Sequence, residues 1–296
     1  MSGHNPAVIR CHDDPPLFVE AIRFTAAETG FAARLIEKDY FCSLVLEYLA
    51  GVDDALVFKG GTCLAKVHAG FYRLSEDLDF AIPMPIEATR QDRSRRAAGT
   101  KRAVAGLPRA LAGLHVVEPL RGANNSLQYI GSVAYRSLLS HQQERITIEV
   151  GLREPLVMSA KFGSARSILL DPISREPMVP SITVRCLFAK EAFAEKFRAA
   201  LSRREAAIRD FFDIDYAVRT IGVRPNDAEL MTLVRMKLAV PGNDPVNVSA
   251  ERLVFLRQQI APQLRPVLRE QDFREFDLDR AFGIVADVAN RLTEHP

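Results

Sequence analysis

The sequence predicts an α+β fold, a mixed-sheet lobe followed by an α-helical lobe, and three features carry that prediction. Short apolar runs of strand length, bounded by Gly, Pro, Asn and Asp, recur only before Leu187. Helical stretches are interleaved among them, so the sheet belongs to a mixed α/β lobe. From Phe188 onward the pattern is helical, with breaks at 222–226, at 241–245 and at Pro262. Two domains are expected, residues 1–186 and 187–296. A chain of 296 residues with 48% hydrophobic content is ample for both.

Helices are expected first at residues 16–28 and 33–50. The sheet is expected from strands at 56–58, 77–82, 114–118, 126–136, 145–150 and 182–186. Two helices fall between strands, at 62–69 and at 86–112, the second broken near Gly106 and Pro108. The substrate is expected between the two lobes.

The chemistry is concentrated after the first strand. Ala55-Leu56-Val57-Phe58 enters Gly60-Gly61-Thr62, which reads as a buried strand ending in a tight turn. A helix starting near Thr62 could use that hydroxyl as its cap. The glycines would let backbone N–H groups approach a phosphate where the helix dipole favours negative charge. Asp77-Leu78-Asp79-Phe80 then alternates as a strand, with both acids on one face and Leu78 and Phe80 on the other. Adjacent carboxylates repel unless protonated or bridged by a cation, and an oxygen-only donor set beside a triphosphate favours Mg²⁺, two ions in this case. A Gly-Gly pair alone is usually only a turn, and an Asp-x-Asp alone is usually a solvated edge. Their order here, strand, Gly-Gly-Thr, helix, acidic strand, points instead to an NTP site.

In-line phosphoryl transfer asks for a third acid on a neighbouring strand. Arg145-Ile146-Thr147-Ile148-Glu149-Val150 supplies Glu149 on the face opposite its isoleucines, where the competing reading is a plain polar outer face. Ser75, two residues ahead of Asp77, reads as a turn residue. A phosphoryl or nucleotidyl group on it would set anionic acceptors beside the metal ligands.

These residues resemble the AbiEii/MenT-like nucleotidyltransferase toxins, a branch of the DNA polymerase β-like nucleotidyltransferase superfamily. The resemblance lies in Phe58 to Lys66 with its Gly-Gly-Thr-x-Leu-x-Lys order, in Leu74 to Phe80, in Glu191-Ala192-Phe193-Ala194-Glu195-Lys196, and in Asp210-Phe211-Phe212-Asp213, with Glu37-Lys38-Asp39-Tyr40 ahead of them. It implies that the first domain is the nucleotidyltransferase lobe, and that Lys196 binds the nucleotide's phosphates, with Lys66 a second phosphate candidate. It also implies an NTP substrate, a tRNA acceptor end as target, growth arrest, and a cognate antitoxin as partner. By helical spacing Lys196 and Arg203 share a cationic, uncrowded face, and Asp210 and Asp213 project together. Asp210 then positions either Lys196 or the nucleotide, or pairs with Arg203, Arg204 or Arg209. Asp213 contacts the nucleotide or pairs with Arg203, Arg204 or Arg209.

Charge adds a second theme. The balance is +2, but Arg90, Arg93, Arg95, Arg96, Lys101 and Arg102 crowd one stretch against Glu87 and Asp92, either a solvated helix face or a stripe for an RNA backbone. Cys11, Cys42, Cys63 and Cys186 are scattered without metal-ligand spacing and read as reduced core residues. No apolar run approaches a membrane span and no signal-peptide core is evident, so a cytoplasmic enzyme is expected. Two other classes remain compatible: a nucleotidyltransferase acting on a protein hydroxyl or small molecule, and a non-catalytic nucleotide- or RNA-binding regulator.

Overall fold

The computed structural model describes residues 10–294. The chain divides into two units, Met1–Leu156 with Ala160–Leu187, and Val157–Ser159 with Phe188–Pro296. The first is built on strands β1 (Val57–Lys59), β2 (Leu78–Ala81), β3 (Leu114–Ala123), β4 (Gln128–Arg136), β5 (Gln143–Gly151), β6 (Lys161–Ala165) and β7 (Ile182–Cys186). They form one seven-stranded sheet in the order β3-β4-β5-β2-β1-β7-β6. Pairing is antiparallel except between β2 and β5 and between β1 and β7, so the sheet is mixed, as the sequence predicts.

Helices α1 (Pro15–Thr29), α2 (Ala33–Val52), α3 (Gly60–Cys63), α4 (Arg90–Arg96) and α5 (Ala98–Ala110) complete this unit. Asp14 caps α1 by accepting from the Leu17 amide, and Gly30 closes it in the left-handed conformation. α2 is buried from Leu35 through Leu46 and shares one core with Leu78, Phe80, Ile146, Ile148 and Val150. Because side chains alternate along a strand, that packing consigns the apolar face of β2 and β5 to the core. The other face is left to Asp79, Thr147 and Glu149, all half-buried.

Several boundaries differ from expectation for local reasons. The helix expected at 62–69 begins two residues earlier, at Gly60, and from Leu64 to Ala69 it continues as a π-helix. The broken helix expected over 86–112 is two helices meeting at Ala97, while Pro108 sits inside the last turn of α5. Thr89 and Asp92 form a capping box that starts α4 at Arg90. β3 extends through Pro119, which an edge strand tolerates because one of its backbone sides needs no partner. β6 was not expected, since Lys161-Phe162-Gly163-Ser164-Ala165 carries no apolar alternation; it is an edge strand held by pairing to β7.

Beneath the sheet, α2 supplies charges rather than only apolar contacts. Glu37 accepts from Ser137 Oγ at 2.6 Å and the Leu138 amide at 2.7 Å, and burial raises its carboxyl above the ordinary value despite these bonds. Asp39 accepts from Ser167 Oγ at 2.9 Å and the Ile168 amide at 3.1 Å. It also pairs with Lys66 at 2.6 Å, with both side chains almost wholly buried.

The second unit holds α6 (Ala189–Ser202), α7 (Ile208–Tyr216), α8 (Ala228–Ala239), α9 (Ala250–Gln259), α10 (Glu270–Glu275) and α11 (Leu278–Glu294). Residues 157–159 belong to it because the Val157 and Met158 amides donate to Glu191 of α6 at 3.0 and 2.7 Å. Lys237 of α8 pairs with Glu191 at 2.7 Å and with Glu195 at 3.1 Å. Among the described residues no helix is long and apolar enough to cross a membrane.

Removing one partner of a buried pair strands the other charge. Lys66→Ala is therefore expected to lower unfolding free energy by about 3–5 kcal/mol, measured by urea denaturation, with Lys66→Ala/Asp39→Ala recovering part of the loss.

Candidate active site

The acids expected to act together are brought together by strand register. Parallel pairing sets Asp79 of β2 opposite Glu149 of β5, and antiparallel pairing sets Lys59 of β1 opposite Asp79. Residues in register share a sheet face, so Lys59, Asp79 and Glu149 form one row across three neighbouring strands. Asp77 immediately precedes β2 and is half-buried, as are Asp79 and Glu149. Half-burial leaves these carboxylates reachable while thinning the water that would screen them from one another. The donor set is oxygen-only and acidic, which suits a hard cation such as Mg²⁺ and not a thiophilic one.

The Gly-Gly turn lies directly against this row. Gly60 has φ +76°, and a Cβ built there would meet the Asp79 carboxylate oxygen at 2.2 Å. Only glycine satisfies both the left-handed backbone and that approach. At Gly61 a Cβ would meet the Arg73 guanidinium at 2.3 Å, so a cation packs where a side chain would stand. The Thr62 hydroxyl, expected to cap a helix, instead donates to the Asp77 carbonyl at 2.5 Å. The helix already starts at Gly60, and the threonine ties it to the entry of the acidic strand.

Lys66 is placed differently from its expected role. Its ammonium points into α2, pairing with Asp39 and donating to Ser43 Oγ at 2.8 Å and to the Arg166 carbonyl at 3.2 Å. At 1% exposure it braces the turn from behind instead of facing a ligand. Ser75 is half-buried in the irregular stretch before β2. Its neighbour Glu76 binds Arg34 at 2.7 Å and Lys38 at 3.2 Å. Burial pushes the Glu76 carboxyl up, but these two cations outweigh it and hold the group below the ordinary value.

In the helical unit, Lys196 pairs with Asp210 at 2.7 Å and Asp213 at 2.8 Å, and Arg203 approaches Asp210 at 3.4 Å. The open cationic face expected along α6 is thus a balanced cluster of two cations and two carboxylates. Helical spacing predicted that the acids share a face; it could not show that the face turns onto Lys196. Both acids pair with Lys196, and Arg203 joins at Asp210.

The basic stripe is also less uniform than its composition suggests. Arg93 is buried, donating to the Leu152 and Ile86 carbonyls at 3.2 and 3.0 Å, and Lys101 lies 4.6 Å from the centre of the Tyr129 ring. Arg90, Arg95, Arg96 and Arg102 remain exposed. Sequence reasoning missed two cations at the acidic row, Lys59 and Arg73. The signal for the first was its place one residue before Gly60, and for the second its place just ahead of the Leu74–Phe80 motif. A cleft of about 390 Å³ lined by Phe58, Phe80 and Arg185 opens on the phenylalanine face of the sheet, away from the acids.

The family model described as nucleotidyl transferase AbiEii toxin, type IV toxin-antitoxin system, matches residues 45–286. No curated protein matches the chain at a significant level. Among solved structures, the fold is similar to MenT4, a nucleotidyltransferase toxin from Mycobacterium tuberculosis H37Rv, with TM-score 0.53 and 18% identity over 92% of this chain and 98% of that one. It is also similar to JHP933 from Helicobacter pylori, with TM-score 0.51 and 14% identity over 89% and 95% of the two chains. At these identities the likeness speaks for the fold.

Gly60→Ala is expected to cost at least about 1–2 kcal/mol from the left-handed backbone alone, read from the urea midpoint. Because the folded Glu76 carboxyl titrates below its unfolded value, the stability it contributes is complete above the ordinary glutamate range. It is lost as pH falls through the lowered folded value. Comparing wild type with Glu76→Gln by urea titration from pH 7 to pH 3 should show a gap that closes on acidification.

Proposed function

The chain belongs to the AbiEii nucleotidyltransferase toxin family, and from that premise we propose that it transfers a nucleoside monophosphate from an NTP to the 3′ acceptor end of tRNA, blocking translation and growth. The observation that carries the reading is the contiguity of Asp79, Glu149 and Gly60, two register-paired acids with a glycine turn against one of them. A structural role gives no reason to spend a left-handed glycine on making room for a carboxylate.

Asp77, Asp79 and Glu149 would hold Mg²⁺, which when bound supplies charge neutralisation at the α-phosphate and lowers the pKa of an attacking hydroxyl. The Gly60 and Gly61 backbone amides, at the start of α3, bind the departing phosphates by hydrogen bonds aligned with the helix dipole. Glu149 accepts the proton of the acceptor 3′-hydroxyl. A new O–P bond forms at the α-phosphorus while the bond to the β-phosphate oxygen breaks, and pyrophosphate leaves. Lys196 is assigned to the nucleotide's phosphates, with Asp210 and Asp213 fixing its ammonium. Lys59 and Arg73 add positive charge beside the acids and the turn, which offsets the repulsion between acids and triphosphate.

An RNA acceptor is supported by the exposed Arg90, Arg95, Arg96 and Arg102 on the same unit as the acids. Arginines on a short helical pair suit phosphate contacts and shape recognition of a folded RNA. A cognate antitoxin and a cytoplasmic setting follow from the same reading. A group added to Ser75 would place anionic oxygens beside the acidic row and compete for its cation.

The test is transfer of label from α-labelled NTPs to total tRNA, with protein and aminoglycoside acceptors in parallel. Asp79→Asn and Glu149→Gln should reduce transfer to background while thermal midpoints stay near wild type. Transfer to tRNA at wild-type rate in either variant, or label appearing only on protein or aminoglycoside, would overturn the reading. Arg95→Ala/Arg96→Ala should weaken tRNA use and its salt dependence while sparing NTP binding.

A further inference from the structure

Cys63 and His68, five residues apart, meet Cys186, more than a hundred residues further on, in the first unit. The two sulfurs and a ring nitrogen of His68 are all within 4.8 Å of one another. Both cysteines are buried and His68 is half-buried. Convergence depends on two local features. Cys63 ends α3 and His68 lies within the π-helix that follows, whose wider turn and i→i+5 hydrogen bonds stack residues five apart. Cys186 is the last residue of β7, paired in parallel with Phe58 of β1, so it stands beside the strand that leads into the Gly-Gly turn.

We propose that Cys63, His68 and Cys186 form a binding site for a thiophilic d¹⁰ metal ion, Zn²⁺ or Cu⁺, separate from the oxygen-donor row of Asp77, Asp79 and Glu149.

The donor chemistry is that of soft or borderline cations: two sulfurs and an imidazole. Ligand sulfurs about 2.3 Å from a tetrahedral zinc stand roughly 3.8 Å apart, so a spread within 4.8 Å closes onto an ion with small side-chain movements. The histidine is already oriented as a ligand would be. Its Nε2 lies 2.9 Å from the Leu187 carbonyl oxygen, which can only accept, so Nε2 carries the proton and Nδ1 keeps its lone pair. A backbone carbonyl holding the distal ring N–H is a recurrent partner of metal-bound histidine. Thiolate is the ligating form, so binding releases the thiol protons to solvent. Gly163 of β6 keeps the Cys186 sulfur uncrowded, since a Cβ there would come within 2.9 Å of it. Three protein ligands leave a fourth position for water on Zn²⁺, or a trigonal site for Cu⁺.

The ion would tie α3 and the π-helix to the end of β7, fixing the glycine turn from the side opposite Asp79. This inference does not depend on the proposed tRNA transfer. It is tested on the full chain, reduced and handled without oxygen. Addition of Co²⁺ in excess Mg²⁺ should produce thiolate-to-cobalt charge-transfer absorption saturating at one ion per chain, bleached by Zn²⁺. In parallel, the chain should withdraw one Cu⁺ from its bicinchoninate complex. Binding of either Zn²⁺ or Cu⁺ should raise the thermal midpoint. Cys63→Ser and Cys186→Ser should each lose the absorption. His68→Gln, a half-exposed substitution that leaves both buried sulfurs in place, should lose stoichiometric binding while keeping the metal-free midpoint. A reduced wild-type chain that gives no charge-transfer band and takes no Cu⁺ would overturn the site, as would a band unchanged by Cys63→Ser and by Cys186→Ser.

Discussion

Asp79 and Glu149 stand side by side because β2 and β5 pair in parallel in that register, and two carboxylates so placed repel one another unless protonated or bridged by a cation. The register is enforced from the other face. Leu78, Phe80, Ile148 and Val150 are buried against α2, and a one-residue slip would turn those four into the open and the acids into the core. The hydrophobic effect thus compels an arrangement that electrostatics alone would disperse. Gly60 completes it by yielding the space its own side chain would take to the Asp79 carboxylate.

Within each unit, buried and half-buried lysines are held by carboxylates of the same unit. Lys66 is sealed against Asp39, Lys237 against Glu191, and Lys196 is held by Asp210 and Asp213. Buried pairs of this kind contribute little net stability over an apolar core of the same shape, yet each is costly to break. They specify geometry: the Lys66 pair fixes the helix after the glycine turn onto α2, and the Glu191 carboxylate draws residues 157–158 onto α6. Lys66, which the motif order suggests as a phosphate ligand, is therefore a strut of the fold.

The cysteines show how spacing along the chain can mislead. A metal-ligand pattern in sequence is recognisable when its members sit on one helix or one turn. Here one pair is separated by a π-helix, whose occurrence no periodicity announces, and the third ligand arrives by a parallel strand from more than a hundred residues away.

What the sequence determined by itself is local and periodic. The strand entering Gly60-Gly61-Thr62, the alternation that puts Asp79 on the face opposite Leu78 and Phe80, the isoleucine face of β5 that leaves Glu149 opposite, and the change to helix at Phe188 all follow from side-chain patterns a few residues long. The mixed sheet and the family were legible from those patterns in order. Tertiary structure alone decided which strand neighbours which, whether a lysine faces a ligand or an aspartate, how many arginines of a basic run stay in solvent, and that two thiols meet an imidazole. Each of those outcomes depends on packing between segments distant in sequence, where burial chooses a partner for every charge and the local pattern carries no record of the choice.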